Sequence, residues 1–306
     1  MQTERAKWLH ALAIYIRGVC MGAADVVPGV SGGTIAFITG IYPKLIDSLT
    51  AVDLQSLRLL LRFNIKALWQ RFDGNFLVLL FAGILSAIFS LAHLISFLLD
   101  TYPILIWSVF FGLISASAIT LLVREGIYQL PTLVSFLLGM GLVLVIANLS
   151  VHQISPGLPM VYLVGVVAIS AMLLPGLSGS FLLLLLGMYE PTLEAVKTFN
   201  GAYLLCFALG AVTGLISFSH LISWLLKHHY ATTLMFLIGL LFGSLYAVWP
   251  WRTFDDSNQA IWPSDFALMA DPMILPALAC MILAGVAVLA IEYLASKFSV
   301  EQQSTE

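Results

Sequence analysis

Charge is scarce in this chain. Of its 306 residues only 9% are Asp, Glu, Lys or Arg, against roughly 25% in ordinary soluble domains. With 60% hydrophobic residues and a mean hydropathy of +1.01, a water-soluble protein is excluded. Cysteine is scarce too: Cys20, Cys206 and Cys280 lie in apolar stretches with no CxxC or Cys/His spacing, so neither a disulfide framework nor a metal site is indicated. The basic residues are too few and too local for nucleic acid binding. A cleavable signal is not expected, because Arg17 interrupts the first apolar run and VVPGVSGG follows where a cleavage site would fall. No polar stretch is long enough for a separate domain, so residues 1–306 read as a single membrane domain.

What is present is long apolar runs. Six meet the requirement of about 20 residues for a transmembrane helix: roughly Phe76–Leu99, Pro103–Val123, Leu130–Leu149, Ala202–Leu226, Thr232–Trp249 and Met273–Ala295. Two more, about Trp8–Tyr42 and Leu158–Tyr189, are interrupted at PGVSGG and PGLSGS. Proline removes a backbone donor and glycine loosens a helix, so each reads as a helix–break–helix hairpin. The expected fold class is therefore an all-α polytopic membrane protein.

The two breaks are copies. Val26–Leu49 aligns with Leu173–Val196 at an offset of 147 residues, and six of the 24 positions are identical. The copying continues in Ala92–Leu99 and Ser219–Leu226, which share His-Leu-Ile-Ser at an offset of 127 residues. Each unit is then one hairpin plus three spans, repeat 1 over about 8–149 and repeat 2 over about 158–295. Three is odd, so the repeats are expected to insert with opposite orientation, as an inverted repeat about an axis in the membrane plane.

Charge supports same-side hairpins. In that topology Arg5, Lys7, Lys44, Arg58, Arg62, Lys66, Arg71, Arg124, Lys227 and Lys297, ten of the 13 Lys and Arg residues, share one side. By the positive-inside rule that side is cytoplasmic and holds both termini. The extra segment in repeat 1 spaces Arg58, Arg62 and Lys66 four apart among leucines, which predicts an interfacial helix over about 52–72; a solvated connector is the plainer alternative. Pro250–Pro272, with four Asp and two Trp, reads as an ordered loop on the opposite side.

Paired breaks in the two halves of a membrane protein point to a binding site. Helix halves starting after Ser31 and Ser178 would present free N–H groups and positive dipole ends, an arrangement suited to anions and to phosphate in particular. Gly32, Gly33 and Gly179 permit close approach, and Ser31, Thr34, Ser178 and Ser180 add hydroxyls. Tight hairpin packing is the purely structural alternative for these small residues. Arg17 and Asp25 are ionisable residues at membrane depth, which are costly and usually functional: Arg17 would pair with phosphate, and Asp25 would hold Arg17 or accept a proton. Val164 and Met172 occupy their positions in repeat 2, so the halves differ chemically. His93 and His220, equivalent in the two repeats, are candidates for coupling or gating. The serines also match GxSG of rhomboid-type serine proteases, but such an enzyme needs one serine with a base in reach, not two copies behind Pro-Gly. No catalytic residue is assigned.

The run Arg17–Thr34 (RGVCMGAADVVPGVSGGT) with Gly40-Ile-Tyr42, and later Leu174–Ser180 with Gly187-Met-Tyr189, resembles the bacterial polyprenyl-phosphate translocases over nearly the whole chain. That resemblance implies a flippase for undecaprenyl phosphate in the cytoplasmic membrane, recycling the lipid carrier for peptidoglycan and other envelope polymers. Its partner would be the lipid itself, with no cofactor; coupling to a proton or sodium gradient and homodimer formation stay open. The residues alone lead to a transporter with an anion site, so a small-anion secondary transporter is the alternative.

Overall fold

The computed structural model describes residues 2–25, 31–126, 129–147, 157–179, 182–183, 186–253 and 259–303. Among them the chain is helical, with one isolated antiparallel bridge, Arg252 to Ala260. In hydrocarbon a backbone must satisfy its own polar groups, and helices do so within one segment. The first hairpin comprises α1 (Gln2–Asp25), α2 (Gly32–Ile38) and α3 (Tyr42–Thr50), followed by the short α4 (Leu54–Leu61) and α5 (Ile65–Arg71). Then come the long α6 (Gly74–Thr101), α7 (Pro103–Glu125) and α8 (Leu130–Ala147). The second half holds α9 (Leu158–Leu173), α10 (Tyr189–Lys197), α11 (Gly201–His228), α12 (Tyr230–Ala247), the one-turn α13 (Pro263–Phe266) and α14 (Ile274–Gln303). Five helices, α6, α7, α8, α11 and α12, are long and apolar enough to cross a membrane; α9 and the Ile274–Ala290 stretch of α14, where a sixth span was expected, are shorter apolar helices.

Four helix pairs dominate the packing: α1 with α6, α9 with α11, α7 with α14, and α8 with α12. Lipid tails are as apolar as leucine, so membrane helices associate through close backbone approach at small residues. The approaches recur at equivalent positions of the two halves. A Cβ on Gly18 would strike the Leu80 carbonyl, and one on Gly165 the Phe207 carbonyl; likewise Gly83 faces the Tyr15 carbonyl and Gly210 that of Tyr162. Gly112 stands against Met281 on α14, and its counterpart Gly239 against Phe136 on α8. Thus the middle span of each half packs on the final span of the other. The turns before those middle spans also match, with Tyr102 at φ −133°, ψ 53° and His229 at φ −135°, ψ 47°.

The extra segment is two helices, not the single one expected over 52–72. Asp53 accepts from the Ser56 N–H and Asn64 from the Ala67 N–H, so each caps its own helix, and Phe63 between them has φ 53°. A side chain that can cap competes with continuation of a helix. Arg71 folds the pair together, reaching Ser56 Oγ and Gln55 Oε1, each at 3.0 Å, and pairing with Asp53. The Ser56 N–H, and after it the Arg71 charge, hold the Asp53 carboxyl below its usual range. Lys44–Asp73 at 2.7 Å and Lys227–Asp47 at 3.2 Å complete a charged band at this end of the bundle. At the other end Trp249 donates to the Ile261 carbonyl and Trp251 to that of Pro272, both at 2.8 Å, which orders the loop after α12.

The glycine crossings generate a first prediction. Gly83→Leu or Gly210→Leu drives a side chain into a facing backbone, and overpacking of this kind costs about 1–3 kcal/mol. Each variant is expected to melt several degrees lower in detergent than Gly141→Leu, whose added atom meets open space; equal melting temperatures would refute the packing.

Candidate functional site

The breaks meet each other. α1 ends at Asp25, and the chain re-enters the described structure at Ser31, whose Oγ accepts from the Gly33 N–H at 3.1 Å and caps α2. In the second half α9 ends at Leu173, and Gly176, with φ 86°, turns the chain. That backbone conformation excludes ordinary side chains, and a Cβ there would also lie 2.6 Å from the Leu240 carbonyl on α12. The Gly176 N–H donates to Thr34 Oγ1 across the halves at 2.8 Å. Beside it, a Cβ on Gly33 would come within 2.7 Å of the Met172 carbonyl at the end of α9.

Around this junction lies a cavity of about 290 Å³. Asp25, Ser31, Ser178, Gly179 and Thr192 form its polar lining, and Ala168, Ile169, Met172, Leu183, Phe207 and Ala211 are among its apolar neighbours. Ser31 and Ser178 are equivalent positions, as are Asp25 and Met172. Both halves therefore face one space. A larger hollow of about 420 Å³ lies under the tryptophan loop, between Phe111, Tyr246, Trp249 and Trp262, and holds none of the predicted site residues.

The α2 terminus is not open. Asp25 Oδ1 accepts the Gly32 N–H at 2.6 Å, and a Cβ on Gly32 would come within 2.5 Å of Oδ2 of the same carboxylate. The chain's own carboxyl holds the position expected for a ligand, and the expected Arg17–Asp25 pair is not formed. Arg17 lies two turns earlier in α1, about 12 Å away at 1.5 Å per residue. It is half-buried and does not line the cavity. Thr34, 1% exposed, spends its oxygen on Gly176, and the Gly33 N–H is spent on Ser31; these two join the hairpins instead of facing the space. Ser180 and the Pro28–Val30 stretch lie outside the described residues.

His220 does not line the cavity between the breaks. His220 Nδ1 meets the Ile216 carbonyl of its own helix at 2.8 Å on an exposed face. His93 belongs to α6, and its side chain lies outside the described residues. Thr192 was missed by sequence reasoning. Its hydroxyl bridges the Met188 carbonyl at 2.6 Å and Tyr203 OH at 2.8 Å; Leu45 is its counterpart in the first half, so the duplication gave no signal for it. Among the described residues there is no cluster of His, Cys, Asp and Glu fit to hold a metal ion.

Apolar spans packed around a cavity that both breaks line define a multi-pass membrane protein. The chain belongs to the undecaprenyl phosphate translocase-like family, whose model matches residues 21–262. It is 47% identical over 246 residues to a polyprenyl-phosphate transporter of Vibrio cholerae, covering 80% of each chain. A polyprenyl-phosphate transporter of Staphylococcus aureus is 34% identical over 265 residues, covering 81% of this chain and 88% of that one. These relatives are transporters, not enzymes, and the serine protease alternative is set aside. No solved structure matches.

The junction is testable alone. Thr34→Val keeps the shape but leaves the buried Gly176 N–H without its acceptor, a loss of about 1–3 kcal/mol. Thr34→Val should lower the melting temperature and Thr34→Ser restore it; indifference to both would remove the bond from the account.

Proposed function

We propose that this protein carries undecaprenyl phosphate across the cytoplasmic membrane, returning the carrier lipid for envelope polymer synthesis. One observation carries the reading: the two breaks meet and together line one cavity, with Asp25, Ser31, Ser178 and Thr192 on its wall. Ser31, Gly32, Ser178 and Gly179 donate to the phosphate, while Gly33 and Thr34 keep the two hairpins joined. Arg17, two turns nearer the charged band, is the cation the headgroup meets as it moves that way. His93 and His220 are left to gating outside the site.

Asp25 sets the coupling. Two unit charges 4 Å apart repel by about 4 kcal/mol at an effective dielectric of 20, so phosphate and an ionised Asp25 do not share Gly32. The carboxyl takes up a proton as the headgroup arrives, and lipid and proton travel together.

The halves act as an inverted repeat, a reading supported by the recurring glycine contacts and by the odd number of spans between them. Their asymmetry supports alternating access. At the charged end α3 packs on α11, where Asp47 meets Lys227 at 3.2 Å and accepts from Ser223 Oγ at 3.3 Å. The equivalent positions at the far end are Glu194 and Asp100, two like charges, and among the described residues α10 makes no comparable packing on α6. One gate is latched, and the other has no comparable contact among the described residues. With the charged band and both termini cytoplasmic by the positive-inside rule, the site faces the outer leaflet, where used carrier lipid waits.

In liposomes the purified protein should flip undecaprenyl phosphate, and Arg17→Ala should abolish it; normal flipping by that variant would overturn the role of Arg17. Saturable uptake of inorganic phosphate with no lipid flipping would favour the small-anion alternative. Asp25→Asn should still flip lipid but no longer respond to a proton gradient; a gradient response equal to the parent's would exclude Asp25 as the coupling group. The gate has its own readout. In a cysteine-free background, Ser223→Cys should react with an impermeant maleimide several-fold faster once Lys227→Ala is added, and unchanged labelling would argue against a latch.

A further inference from the structure

The cavity has two chemically different walls. Its polar groups come from the breaks and from Thr192, whereas Ala168, Met172, Phe207 and Ala211, from α9 and α11, present only carbon and sulfur. A free phosphate ion would satisfy the first wall and leave the second against water or nothing. An alkyl phosphate satisfies both. Size narrows the ligand further. At about 30 Å³ for each water-sized group, a cavity of about 290 Å³ takes on the order of ten non-hydrogen atoms. A phosphate group accounts for half of these and one five-carbon isoprene unit for the other half.

From this we infer that the site recognises the phosphate together with the first isoprene unit only, and that the rest of the tail stays outside, in lipid. The inference rests on the prenyl-phosphate reading above and specifies how such a lipid is selected. The walls of α9 and α11 choose a branched carbon unit next to the phosphate, and they do not measure chain length. Outside the cavity the same two helices expose Leu163, Val167, Leu209 and Val212, an apolar surface along which a tail lies without loss of solvation. Ala168 and Ala211 set the width of the apolar half, which makes them specificity-determining residues: a larger side chain at either fills the room that the isoprene unit needs.

The test is competition against undecaprenyl phosphate flipping in liposomes, with competitor concentrations counted per membrane lipid for those that partition. Dimethylallyl, geranyl and farnesyl phosphate should compete within a few-fold of one another, and inorganic phosphate at least tenfold more weakly. Potency rising tenfold or more with each added isoprene unit would overturn the inference, as would inorganic phosphate competing equally well. In both of these outcomes lipid flipping by the parent protein persists, whereas its complete absence would strike the prenyl-phosphate reading itself. Ala211→Phe, and independently Ala168→Leu, should lower undecaprenyl phosphate flipping at least tenfold while the protein melts at the parent's temperature; full flipping by both would remove α9 and α11 from the site. The competitor series on the parent protein stands even where a variant fails to fold.

Discussion

A helix broken inside hydrocarbon releases backbone groups that have nowhere to go, and an unpaired one costs several kcal/mol. The rest of this structure follows from how that cost is met. The Gly176 N–H of one break finds its acceptor on Thr34 of the other, and the Gly32 and Gly33 N–H groups turn to Asp25 and Ser31. The breaks stabilise each other across the halves, so neither can sit at the protein surface. In the space left between them hydroxyls, a carboxyl group and carbon surface adjoin. Its chemistry is a by-product of satisfying the backbone.

Much of the frame was legible in the residues. The six long apolar runs correspond to α6, α7, α8, α11, α12 and α14, because a segment in lipid has few alternatives to a helix. The two breaks were legible as well, since Pro-Gly-x-Ser-Gly stands out twice in a chain of otherwise interchangeable apolar residues. Other features depended on chain reversals that carry no period. Asp25 is seven residues from Gly32, and its reach back to that N–H depends on the path between them, which no spacing rule predicts. Thr34 has the hydroxyl of a ligand-binding residue, yet its oxygen serves the fold; composition cannot tell those uses apart. The break near Phe63 lay within a pattern whose four-residue spacing of cations fits one helix as well as two. Thr192 stands outside every repeated motif.

Family and site answer different questions. The relatives are polyprenyl-phosphate transporters, and nearly half the aligned residues are shared with one of them; likeness of that extent establishes kinship but assigns no role to any side chain. The geometry does the converse. It brings Ser31, Ser178 and Asp25 to one space and leaves Arg17 two turns away, without identifying what fills that space. Together they support the proposed route, from a cavity between the breaks to a cation nearer the charged band.

The exchange of partners between α7–α14 and α12–α8 has a consequence for how the protein is made. The chain is threaded into the membrane from its N-terminus, yet Gly112 of α7 packs against Met281 on α14, far later in the sequence. The first half must therefore wait in the bilayer, unfinished, while more than a hundred further residues are synthesised. Contacts so distant in sequence are slow to form and leave partners exposed meanwhile. An early stop that spares the whole first repeat would still leave it without the surface it needs to close.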